Sequence, residues 1–120
     1  MILTLFFAKD NGDIDVVPVS YKVPQTTAVL RTALTLLTEQ EAPKGLRNYL
    51  HDLGLKLDGV SIADGTATIR FSGEYTSKGI GDDARFQEQI VSTAKQFSSV
   101  RDVKIFLNGC DWSLLPQGGC

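Results

Sequence analysis

The sequence predicts an α+β sandwich of order β-β-α-β-β-α-β, with two helices packed on one face of a mostly antiparallel sheet. Three observations lead there. Residues 60–62 and 67–71 are short alternating runs joined across Asp64-Gly65, a pair that supplies the positive φ angles of a type I′ hairpin. Leu30, Ala33, Leu34 and Leu37 recur at helical spacing, and so do Phe86, Ile90, Ala94 and Phe97. Each set makes one stripe to bury. The chain has 120 residues, enough for one domain that hides about two-thirds of its unfolded surface.

In chain order, residues 2–8 are a continuous apolar run, a strand covered on at least one face. Lys9-Asp10-Asn11-Gly12-Asp13 is turn chemistry. A second strand spans 14–23, with Val17, Val19, Tyr21 and Val23 on one side; Pro18 cannot donate a ladder hydrogen bond, so this is an edge strand or a bulged one. Thr26 or Thr27 offers a hydroxyl cap to the first helix, which ends before Pro43. Residues 45–54 suit a single helical turn carrying Leu46, Tyr49, Leu50 and Leu53. The hairpin follows, then a Gly-rich crossover over 73–81. Asp82 or Asp83 caps the second helix, where negative charge suits the helix dipole. Val103, Ile105 and Leu107 alternate in a last strand. Phe71, Ile69 and Ile62 are expected in one core with Leu34, Leu37, Ile90 and Phe97.

Composition excludes several function classes. Hydrophobic residues make up 42% of the chain, so wholesale disorder is ruled out. Twelve basic and 14 acidic residues give a net charge of −2 and are scattered rather than blocked. A nucleic-acid surface would instead show a basic stripe with interleaved aromatics. No basic amphipathic helix suggests membrane insertion. The opening apolar run is too short for a spanning helix or a signal peptide; an export signal, for an exported protein, is expected outside this sequence.

The motifs that could carry chemistry are weak. Gly79-Ile80-Gly81-Asp82-Asp83-Ala84 matches G-x-G-x-x-A, but two carboxylates occupy the turn where a pyrophosphate would sit. The preceding strand is also read as half of a hairpin, not as the start of a parallel βαβ unit. The acidic turn at 10–15 fails the calcium frame, since Gly12 and Ile14 fall at ligand positions. His51, the only histidine, has no nucleophile in a recognisable elbow and lacks partners for a zinc site; it reads as a surface residue. Glu74 beside Tyr75 has no second carboxylate for acid/base work. No catalytic, metal or cofactor residue is assigned. Cys110 and Cys120 can close a small loop around Trp112 in an oxidising compartment, or stay two separate thiols in a reducing one.

Taken together, Tyr21-Lys22-Val23-Pro24 before a Leu-rich helix, the run from Val60-Ser61-Ile62-Ala63-Asp64-Gly65 to Thr66-Ala67-Thr68-Ile69, and Phe71-Ser72-Gly73-Glu74 resemble the GerMN (sporulation and spore germination) domain. The resemblance covers residues 5–109 and continues through the end of the second helix and the last strand. It departs in a shortened segment over 39–57 and in the Cys-flanked tail. The expected division is thus a GerMN-like domain over 1–109 and a tail over 110–120. The resemblance implies a fold similar to the ring-building motif and no catalytic residues or cofactor. It also implies a place outside the cytoplasmic membrane, in lipoproteins and sporulation proteins that are membrane-anchored at full length.

Two functions of different class follow. One is a non-enzymatic protein-interaction module that meets envelope or sporulation proteins, or further copies of itself, through the edge strand near Ser20 or the helix face of Arg85, Glu88 and Gln89. The other is a small-ligand or cell-wall-fragment binding domain, with its site at the 73–81 loop beside Tyr75 and Trp112.

Overall fold

An apolar run of β-branched, leucine and aromatic residues favours extended backbone. In the computed structural model, which describes residues 1–10, 15–74 and 80–113, the first such run is β1 (Ile2–Lys9). Its alternate residues Leu3, Leu5 and Phe7 point into the core. β1 pairs antiparallel with β2 (Val16–Lys22), and β2 is the edge of its sheet, as Pro18 predicts. α1 (Val29–Glu39) buries Leu30, Ala33, Leu34 and Leu37, the expected stripe. Its cap differs from expectation. Ala28 holds the N-cap position without a side-chain bond, and the Thr26 hydroxyl instead accepts from the Ala28 N–H at 3.1 Å.

The 45–54 segment holds a two-residue strand, β3 (Leu46–Arg47), and one helical turn, α2 (Tyr49–Asp52). β4 (Lys56–Ala63) and β5 (Thr66–Ser72) form the predicted hairpin. Asp64 and Gly65 take φ of 52° and 80°, the type I′ signature. α3 (Ile80–Lys95) then buries Phe86, Ile90 and Ala94. β6 (Asp102–Leu107) returns parallel to β5. The hairpin strand therefore does open a parallel βαβ unit, because a parallel pair needs a long crossover and α3 supplies it. A last turn at Asn108-Gly109, both with positive φ, leads into β7 (Cys110–Asp111) against β6. The fold thus continues through β7 and Trp112 into residues assigned to the tail.

The architecture is mixed α/β with mostly antiparallel strands, but the strands divide into two sheets, β2-β1-β3 and β4-β5-β6-β7. The division has a local cause. The edge of β1 that faces away from β2 is occupied by side chains of α3 and its C-terminal turn. The Gln96 amide both accepts from the Thr4 N–H (3.0 Å) and donates to the Thr4 carbonyl (2.6 Å). The Thr93 hydroxyl accepts from the Phe6 N–H, and Gln89 Nε2 donates to the Phe6 carbonyl. Residues 89, 93 and 96 lie one helical turn apart on one face, so a helix completes the strand edge that a neighbouring strand would otherwise fill.

The core takes Phe71, Ile69, Leu34, Leu37 and Ile90 as expected, with Phe97 packed against it. Ile62 is the exception, 42% exposed. It sits on the same side of β4 as buried Ala67 on β5, near the hairpin end, where it borders an open groove beside the start of α1.

Candidate functional site

Which backbone groups of β2 face outward follows from register. In an antiparallel pair, residues alternate between mutually bonded and non-bonded partners. Met1 and Val23 bond each other in both directions at 2.9 Å. Thr4 and Phe6 spend their N–H and C=O groups on α3's side. Their partners Ser20 and Pro18 must therefore turn their own backbone groups to the free edge, as must Lys22. Pro18 has no N–H to leave there, which is why the strand tolerates it. Ser20 and Lys22 are exposed and keep both donor and acceptor pointing outward. This is a short open edge of the kind a second chain can extend.

The helix face expected to join it is only partly available. Arg85 and Glu88 are half-buried on α3. Gln89 is not a surface residue: it is 0% exposed. Its Oε1 accepts from the Tyr49 N–H (3.0 Å), and its Nε2 donates to the Phe6 carbonyl (3.0 Å) and to Asn48 Oδ1 (3.2 Å). Asn48, also fully buried, donates onward to the Leu37 and Gln40 carbonyls and caps α2. This network ties α1, α2, α3 and β1 together, and no buried side-chain polar atom lacks a partner among the described residues. Polar side chains whose hydrogen bonds are all met by partners inside the protein escape the penalty of an unpaired buried group.

Trp112 is likewise largely buried, and its remaining surface lines a cavity of about 230 Å³ with Gln87, Val103 and Asp111. It is 6% exposed, packs on Phe86 with ring centroids 4.9 Å apart, and donates from Nε1 to Gln87 Oε1 at 3.0 Å. The β7 turn carries it back onto α3 and fills the end of the core. Tyr75 and most of the 73–81 crossover lie outside the described residues, as does Cys120. Cys110 is disulfide-bonded. Next to it, Asp111 accepts from the N–H and hydroxyl of Ser113 at 2.9 and 2.8 Å. These bonds favour the ionised carboxyl and hold its pKa below the usual value, with Lys104 helping.

His51 lies in an open polar cleft of about 550 Å³ together with Asp10, Glu41, Arg47 and Asp52. Its Nδ1 is 3.5 Å from Asp52, and the Arg47 guanidinium is 3.8 Å from the same carboxylate and 4.9 Å over the Tyr49 ring. The residue is partly exposed at the surface, as the sequence suggests. No metal-ligating cluster occurs among the described residues.

Against known proteins, a family model described as Germane, sporulation and spore germination, matches residues 4–111. The chain is 28% identical over 125 residues to the spore germination protein GerM of Bacillus subtilis (strain 168), covering 96% of this chain and 32% of GerM. It thus spans about a third of the curated relative it matches. The first GerMN domain of that protein has the same fold, with TM-score 0.71, 26% identity and coverage of 92% of this chain and 85% of that one. Its tandem GerMN domains give TM-score 0.71 over 40% of their chain. A candidate lipoprotein from Clostridium perfringens shares the fold at TM-score 0.53 and 20% identity, covering 92% of this chain and 76% of its own.

Proposed function

This chain belongs to the Germane family of sporulation and spore germination domains, and on that premise we propose that it is a non-enzymatic module joining proteins of the bacterial cell envelope outside the cytoplasmic membrane. The observation that carries the reading is the outer edge of β2, where Ser20 and Lys22 turn main-chain donors and acceptors to solvent. Such an edge recognises another chain through backbone hydrogen bonds, and needs no acid, base or nucleophile to do so. The Bacillus subtilis relative is a spore germination protein, which supports a role in a sporulation or germination assembly. Contacts of this size are weak singly and gain strength in an array.

A second reading, binding of a small ligand or cell-wall fragment, finds support in the cleft of Arg47, His51 and Asp52, where cation and carboxylate are partly exposed. One experiment separates the two. Photoreactive residues are placed at Ser20 and Glu88 of the full-length protein in cells. The interaction reading expects a discrete protein adduct from Ser20. Monomer alone from both positions, together with muropeptide binding by the isolated domain, would replace it with the ligand reading.

A further inference from the structure

The β2 edge stays open at Ser20 and Lys22, and a second long edge lies in the other sheet. β2 carries Pro18 in the middle of its open edge and exposed Lys22 near its end. The outer edge of β6 is covered over Phe106 and Leu107 by β7. The inner edge of β1 is sealed by Gln89, Thr93 and Gln96. β3 and β7 end their sheets with two residues each, and β4 is the long outer strand of the second sheet. Its first half is bent by an irregularity between Leu57 and Gly59, a common protective device. Its second half, Gly59-Val60-Ser61-Ile62-Ala63, has no proline, no charge and no bulge.

The register says which groups are free there. Ala63 and Thr66 flank the two-residue turn and are a mutually bonded pair. Alternation makes Ile62–Ala67 and Val60–Ile69 non-bonded pairs. Val60 and Ile62 therefore aim their N–H and C=O groups away from β5. Both residues also line a groove of about 320 Å³ between β4 and the start of α1, together with Val29, Ser61 and Ser99. Ile62, one of only three exposed large hydrophobic residues among those described, lies in that groove, and Arg31 supplies its charge.

We infer that the β4 edge at Val60–Ile62 is a strand-addition site for an extended segment of a partner protein that carries an apolar residue beside an acidic one. The backbone groups supply pairing, Ile62 and Val29 supply the apolar contact, and Arg31 selects the acidic side chain. The inference rests on the reading of the chain as an interaction module and names one partner chemistry for it.

The test uses the intact protein and a labelled peptide of alternating threonine and valine carrying one aspartate, against the same peptide with lysine in that place. Fluorescence anisotropy should show the aspartate peptide binding about tenfold more tightly. Ile62→Pro removes the outward N–H together with the apolar Ile62 side chain, and because that N–H takes no part in pairing with β5, the ladder to β5 stays intact. It should weaken binding about tenfold or more, with thermal unfolding close to wild type, and Arg31→Glu should abolish the preference for aspartate. Equal binding of both peptides, or binding unchanged by Ile62→Pro, overturns the assignment. So does concentration-dependent dimerisation lost with Ile62→Pro, because a second copy would then be the occupant. In all these cases an adduct at Ser20 would leave the module reading standing, whereas its absence would remove both.

Discussion

At the scale of single residues, the largest departure from the sequence reading is Gln89. Glutamine at a helix position beside charged Arg85 and Glu88 looks solvent-facing, because side-chain amides are usually exposed. Here it is fully buried, because three partners wait for it: the Tyr49 N–H, the Phe6 carbonyl and Asn48 Oδ1. Two of these are backbone groups of distant segments, and no local pattern announces them. A weaker signal was present, since Gln89, Thr93 and Gln96 form a polar stripe at helical spacing next to the apolar one. Gln89→Ala leaves three buried polar groups short of a bond, each costing about 1–3 kcal/mol. Urea unfolding should report a loss of roughly 3 kcal/mol or more, while Glu88→Ala one residue away stays within about 0.5 kcal/mol of wild type. Equal effects of the two changes would mean that the network is not formed.

At the scale of elements, what was legible in the sequence is what local chemistry decides. Asp64-Gly65 gave the hairpin and its turn type, and the two apolar stripes gave α1 and α3 with the correct buried faces. The second turn of the same kind, Asn108-Gly109, was equally readable, but the strand after it is only two residues long and shows no alternation. That hairpin brings Trp112 onto Phe86, so a residue that looked like part of a loose tail is core. The direction of β6 was not legible, because a helical crossover permits either pairing and the choice is tertiary. The role of α3 as a substitute for a strand can be checked by amide exchange. Gln96→Ala removes both bonds to Thr4, so the Thr4 amide should exchange faster, approaching the rate of an unbonded amide, with α3 itself still protected. An unchanged Thr4 rate would show that the edge is closed by other means.

At the scale of the whole molecule, the seven predicted elements appear in order, with the short β3, α2 and β7 added, and the mixed fold with mostly antiparallel strands matches the GerMN domain of GerM. The split into two sheets was hidden, because it depends on side-chain amides of α3 taking the place of a strand along β1. The split also has a functional consequence. Two sheets leave more edges than one, and the two long outer strands, β2 and β4, lie in separate sheets. A module with two such edges can be held between neighbours, which a single protected sheet could not. The central claim is that the protein acts by holding other chains at these edges. The most direct measurement is the native mass of the full-length protein released from the cell envelope by mild detergent, compared with a Ser20→Pro, Ile62→Pro double variant. Both substitutions remove outward N–H groups and leave the ladders to β1 and β5 in place. The account predicts a complex heavier than the monomer for the wild type, and monomer for the variant with an unchanged melting transition. A wild-type protein that is released as monomer, or a complex of the same mass for both, would contradict it.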